Sequence, residues 1–184
     1  GLGLLVWLLI ASLMGNHIRM DATTFYKGAA LAALLITAGL ISSTMHLANR
    51  KNAIYAMTRF RTSWLSREGL LAVLLYPLAA LHLAALHFGY PHVTPITLWL
   101  LVALSMAILF CTGMIYGCLL TVPRWNTALT PAKYVLFGLM SGSVLLPAVL
   151  SLRPLEVGPI GKPMMAIFLL VAGLILYLTY LLKH

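Results

Sequence analysis

Apolar residues run through this chain in long unbroken stretches, and short polar clusters separate them. The stretches are residues 1–15, 25–47, 68–88, 96–120, 132–150 and 163–182. All but the first are close to the ~17–25 residues that carry a helix across hydrocarbon. None shows the narrow apolar stripe of a helix lying on a water-soluble core, and being apolar all round suits lipid. The pattern predicts an all-α fold, a polytopic transmembrane helix bundle with six visible spans in one integral membrane domain. Residues 1–15 (GLGLLVWLLIASLMG) are short for a span and lack a starting Met, a basic leading region and a cleavage pattern. They read as the second half of a first span rather than as a signal peptide. Pro77 and Pro147 fall inside the third and fifth spans, where each removes a backbone donor and is predicted to bend or loosen the helix.

Composition strengthens this reading. Hydrophobic residues make up 62% of the 184 positions and charged residues 8%, and mean hydropathy is +1.00. A soluble domain carries roughly 25% charge. The net charge of +9 falls mostly between the spans, as expected of loops that meet anionic headgroups. No soluble basic domain is present to bind nucleic acid. With the loops alternating sides, one face carries eight Lys and Arg and the other four. The positive-inside rule places the richer face, with the 45–70 connection, in the cytoplasm.

That connection, MHLANRKNAIYAMTRFRTSWLSREGL, is the longest polar interruption and holds five of the twelve basic residues. Ala53, Met57, Phe60 and Trp64 recur at helical spacing, with Arg50, Arg59 and Arg61 off that line. This predicts a short helix lying in the interface, with Trp64 at headgroup depth. Ser66 reads as the N-cap of the third span, with Glu68 in its first turn, where the helix dipole favours a carboxylate. Consecutive spans run in opposite senses, so His46 at the end of one and Glu68 at the start of the next share a depth. An imidazole and a carboxyl at the hydrocarbon edge are costly, and such groups are functional candidates by default. Quinone exchange moves two electrons and two protons, and it needs proton-exchanging groups beside an apolar slot. A histidine and a carboxyl meet that need. Capping of a helix end by His46 and a plain interfacial anchor are the structural alternatives.

Other candidates are weaker. Tyr116, Arg124 and Trp125 lie on the same face and either line a headgroup pocket or belong to the interfacial belt. Cys111 and Cys118, seven apart in one span, read as small core residues, without the cluster an iron–sulfur or metal site needs. His82 and His87 invite a haem b reading, but five residues place them about 140° apart around a helix. A transporter is disfavoured, because the fourth to sixth spans have no charge in their interiors.

The run MHLAN…AIYAMTRFRTSWLSREG resembles the signature of the anchor subunits of dimethyl-sulfoxide-reductase-type molybdoenzymes, the NrfD/DmsC-like group. Tyr116, Thr121-Val122-Pro123, Trp125 and Thr130-Pro131 resemble the same family's fourth-to-fifth span connection. The resemblance implies an eight-helix bundle with no redox centre of its own. It also implies a bound quinone (ubiquinone or menaquinone) and two partners, a ferredoxin-like iron–sulfur subunit and a molybdopterin catalytic subunit. His46 and Glu68 match the family's quinol-associated histidine and acid. Arg50, Arg59, Arg61, Trp64, Arg67, Tyr116, Thr121, Arg124 and Trp125 become candidates for the pocket or the partner contact. Asn49-Arg50 departs from the Gly/Pro-containing turn common there. The SWLSREG form is closest in look to sulfite-oxidising members, and a cytoplasmic quinone face suits sulfite oxidation with quinone reduction. A quinol-oxidising reductase anchor and a purely structural anchor are the alternatives.

Overall fold

In a computed structural model of the chain, residues 1–13, 22–45 and 59–150 are described, the side chains of Ala148 and Leu150 excepted. The described residues form five helices and no strands: α1 (Leu2–Leu13), α2 (Ala22–Met45), α3 (Trp64–His87), α4 (Val93–Gly117) and α5 (Leu129–Leu150). The last four are long and apolar enough to cross a membrane, at 22, 24, 25 and 19 qualifying residues. The expected sixth span, 163–182, lies outside the described residues. Contacts divide the described residues into two units, those within 1–35 and 136–150, and those within 36–135.

In the first unit, α1 has apolar residues on every side and buries Leu4, Leu5, Val6, Leu8, Leu9 and Ala11. Its twelve residues rise only ~18 Å, short of a ~30 Å hydrocarbon layer. It meets the second part of α5 through glycines. A Cβ on Gly3 would overlap the Gly138 carbonyl, and one on Gly142 would overlap the Gly3 carbonyl. Gly138 and Gly142 form a small-x-x-x-small face, which lets two backbones touch where lipid offers no hydrophobic drive. The Trp7 indole then reaches across, with Nε1 donating to the Leu139 carbonyl at 2.9 Å.

In the second unit, α3 and α4 form an antiparallel hairpin. Gly89 adopts φ +69°, the left-handed conformation that ends a helix at least cost, and the Tyr90 N–H returns to the Ala85 carbonyl at 2.9 Å. Ala72, Leu75, His82 and Ala85 of α3 are buried at three- and seven-residue steps; Leu98, Leu101, Ser105 and Ile108 of α4 are buried at three- and four-residue steps. Val73, Leu74 and Leu81 of α3, and Ile96, Trp99 and Leu100 of α4, face outward. A large apolar exterior is what lipid as solvent permits.

Pro77 lies within an uninterrupted α3 and Pro147 within α5. Helices begin earlier than hydropathy implies, because capping and polar residues form the first turns. α3 starts at Trp64 rather than 68, α4 at Val93 rather than 96, and α5 at Leu129 rather than 132. Pro95 and Pro131 therefore sit in first turns, where a missing N–H costs nothing.

Candidate functional site

The site grows from the entry to α3. Residues Arg59–Thr62 make a turn in which the Thr62 and Ser63 N–H groups bond the Arg59 carbonyl at 3.1 and 3.0 Å. Ser63 has extended backbone (φ −117°, ψ 124°), and its hydroxyl accepts from the Ser66 N–H at 3.4 Å. Ser63 is thus the N-cap, and Ser66 is buried inside the first turn. This corrects the expectation that Ser66 caps the helix. It also moves Glu68 out of the first turn, which holds no acid, into the second. The interfacial helix is corrected in part as well. Residues 59–62 turn rather than coil, and Trp64 is the first residue of α3. Ala53 and Met57 lie outside the described residues.

Arg67 folds back onto that turn. Its Nε donates to the Phe60 carbonyl at 2.9 Å and its Nη2 to the Arg61 carbonyl at 2.8 Å, while the guanidinium lies 4.2 Å from the Trp64 ring centre. Trp64 meets Phe110 of α4 edge-on at 6.0 Å. The planar fork of arginine suits two carbonyls and a ring face together. Arg67 is therefore a clamp on the turn. Arg59 and Arg61 are exposed.

Glu68 points the other way, into the hairpin. The Thr112 hydroxyl of α4 donates to its Oε1 at 2.6 Å and also lies 2.9 Å from the Ile108 carbonyl. One turn further along α4, Tyr116 stacks on Tyr134 of α5 at 5.2 Å and 10°, and meets Trp125 edge-on at 5.5 Å. Residues on a helix advance about 100° each, so Tyr116 falls between the side of α4 that holds Thr112 and the side that packs Gly113 on Pro131. Trp125 is held from α5: the Thr130 hydroxyl donates to its carbonyl at 2.7 Å. Thr121 and Arg124 are exposed in the same connection.

His46 and Arg50 lie outside the described residues. The depth of the end of α2 is nonetheless set by Thr37, whose hydroxyl is 2.8 Å from that of Tyr76 in α3. Eight residues onward from Thr37 is Met45, and eight back from Tyr76 is Glu68. Consecutive spans cross in opposite senses, so both lie ~12 Å from the Thr37–Tyr76 contact in the same direction.

The hairpin's other end carries a second polar pair. His82 is 2% exposed, and its Nδ1 is 2.8 Å from the Thr97 hydroxyl. His87 is exposed and packs edge-on to Phe88 at 5.3 Å, so the two histidines do not converge. Of the cysteines, Cys111 is buried beside Thr112, whereas Cys118 is exposed at the α4 C-cap. That corrects the reading of both as core residues. Among the described residues, no group of three His, Cys, Asp or Glu side chains is placed to hold a metal ion.

The family described as "DMSO reductase anchor subunit (DmsC)" matches residues 1–183. The chain belongs to that family. Over 148 residues this anchor protein is 30% identical to one of the subunits of the sulfite dehydrogenase of Allochromatium vinosum, covering 73% of the chain and 46% of that relative. Over 133 residues it is 28% identical to the YnfH protein of the anaerobic dimethyl sulfoxide reductase of Escherichia coli, covering 71% of the chain and 46% of that relative. The chain thus spans about half the length of these curated relatives. No solved structure matches it.

The anchor protein therefore brings Glu68, Trp64, Tyr116 and Trp125, all sequence candidates, into one end of the 36–135 unit. Sequence reasoning missed Thr112 and Tyr134. The available signal was helical spacing, since Thr112 precedes Tyr116 by four and Tyr134 follows Thr130 by four.

Proposed function

We propose that this chain is the quinone-reactive membrane anchor of a molybdopterin and iron–sulfur oxidoreductase. In this reading it exchanges electrons and protons between the quinone pool and an adjacent iron–sulfur subunit. The observation carrying the proposal is Glu68, a half-buried carboxyl facing inward at a helix start, beside an aromatic cluster one turn away. A quinone supplies two-electron, two-proton chemistry when bound. The protein's part is to hold an apolar ring against Tyr116, Tyr134 and Trp125 and to exchange protons with its oxygens through Glu68. His46 follows Met45 in the chain, and the shared depth of Met45 and Glu68 supports a second proton-exchanging group at that edge. Arg50, Arg59, Arg61, Thr121 and Arg124 then serve as contacts for phosphate headgroups or for the iron–sulfur partner.

The direction we favour is sulfite oxidation with quinone reduction. It is supported by the sulfite dehydrogenase relative and by the excess of Lys and Arg on the loops of that face, which the positive-inside rule assigns to the cytoplasm. The dimethyl sulfoxide reductase relative supports a second reading, quinol oxidation for a terminal reductase. The test is turnover with a water-soluble quinone analogue by the membrane-bound complex carrying Glu68→Gln or His46→Ala. Both should assemble with their soluble partners and lose about a hundredfold or more in rate, the lower range for acid–base catalysis. Assembled variants with normal turnover would refute the proposal and leave a purely structural anchor.

A further inference from the structure

We propose that Thr112 is the positioning residue that lets Glu68 change its protonation state in place, an inference that rests on the quinone reading above. Thr112 has one hydroxyl proton and two acceptors within reach, Glu68 Oε1 at 2.6 Å and the Ile108 carbonyl at 2.9 Å. With Glu68 ionised, the hydroxyl donates to the carboxylate, and the Ile108 carbonyl keeps its helical bond. With Glu68 protonated, the carboxyl O–H donates to Thr112 Oγ1, and the hydroxyl turns its own proton to Ile108. The heavy atoms stay where they are, and neither state strands a polar atom inside the hairpin. Stranding one is costly, and more so for a charged group.

Among the described residues, the surroundings leave this role to Thr112. On α3 the neighbouring cation, Arg67, is committed to the Phe60 and Arg61 carbonyls. On α4 the ionisable neighbours of Thr112 are the buried Cys111 thiol beside it and Tyr116 one turn beyond. Among the described residues, Thr112 is the group seen to hydrogen-bond the carboxyl. A valine has the same shape without the proton, and a serine keeps the proton while losing a methyl.

The test uses the intact membrane-bound complex with Thr112→Val and Thr112→Ser. The first readout is infrared titration of the carboxyl C=O band, assigned to Glu68 by its loss in Glu68→Gln. The second is the pH profile of turnover with a quinone analogue. We expect Thr112→Val to move the band and raise its titration midpoint by about one pH unit, because the charge-assisted bond lost by the ionised form outweighs the neutral bond lost by the protonated form. The turnover profile should move with it, and Thr112→Ser should restore both. A wild-type band and midpoint in Thr112→Val would overturn the inference. Normal turnover by Glu68→Gln would instead remove the quinone reading, while the band would still decide the role of Thr112.

Discussion

Glu68 and Thr112 are 44 positions apart in sequence, yet their side-chain oxygens are 2.6 Å apart across the α3–α4 seam. The contact exists because a tight connection at Gly89 folds two spans against each other in fixed register. The same register joins His82 to Thr97 nearer the other end. One end therefore presents a carboxyl and an aromatic cluster, while the other buries a histidine against a threonine.

That difference predicts different consequences. Thr97→Val removes an interhelical hydrogen bond and should lower the stability of the complex by about 1 kcal/mol, the scale of such bonds in membranes. Quinone turnover should be unchanged, because His82 is fourteen residues, or ~21 Å, along the helix from Glu68. Denaturant titration in detergent with parallel turnover measurements checks both.

Arg67→Lys should not replace Arg67. A lysine presents a point charge and cannot bond both the Phe60 and Arg61 carbonyls while lying flat on Trp64. Amide hydrogen exchange at Thr62 and Ser63 should speed up about tenfold in both Arg67→Lys and Arg67→Ala. Protection equal to wild type in the lysine variant would show that charge alone holds the turn.

Gly142→Ala should destabilise the protein by about 1–3 kcal/mol, the cost of overpacking, because its methyl meets the α1 backbone and not a movable side chain. Gly39→Ala, where a Cβ meets nothing, is the control and should be neutral or slightly stabilising. Thermal unfolding in detergent compares the two.

The ring platform predicts an effect on binding. Trp125→Ala and Tyr134→Leu should each raise the apparent KM for a quinone analogue about two- to tenfold, with a smaller change in kcat. One aromatic contact contributes ~0.5–1.5 kcal/mol beyond burial. A kcat loss at unchanged KM would argue that these rings order the protein and do not touch the substrate.

Much of this was legible in the sequence. Lipid demands long apolar helices, so hydropathy alone located the four described spans and the loops between them. Hydropathy was blind to helix starts: Ser63, not Ser66, caps α3, because the polar first turn WLSR reads as loop although it is helical. It was also blind to partners. Glu68 stood out because an acid at the hydrocarbon edge is costly, whereas Thr112 offered only its four-residue spacing from Tyr116, and its pairing with Glu68 becomes visible only once the hairpin register is known. The clamp made by Arg67 was hidden for a related reason, since a basic residue in a basic loop gives no sign that its fork bonds two carbonyls.

The most direct measurement is photocrosslinking of an azido-quinone to the intact complex, followed by peptide mapping. The account predicts label on segments carrying Glu68 and Tyr116–Tyr134, suppressed by excess quinone. Label confined to the His82–Thr97 end of the hairpin, or label near Glu68 that excess quinone fails to displace, would contradict it.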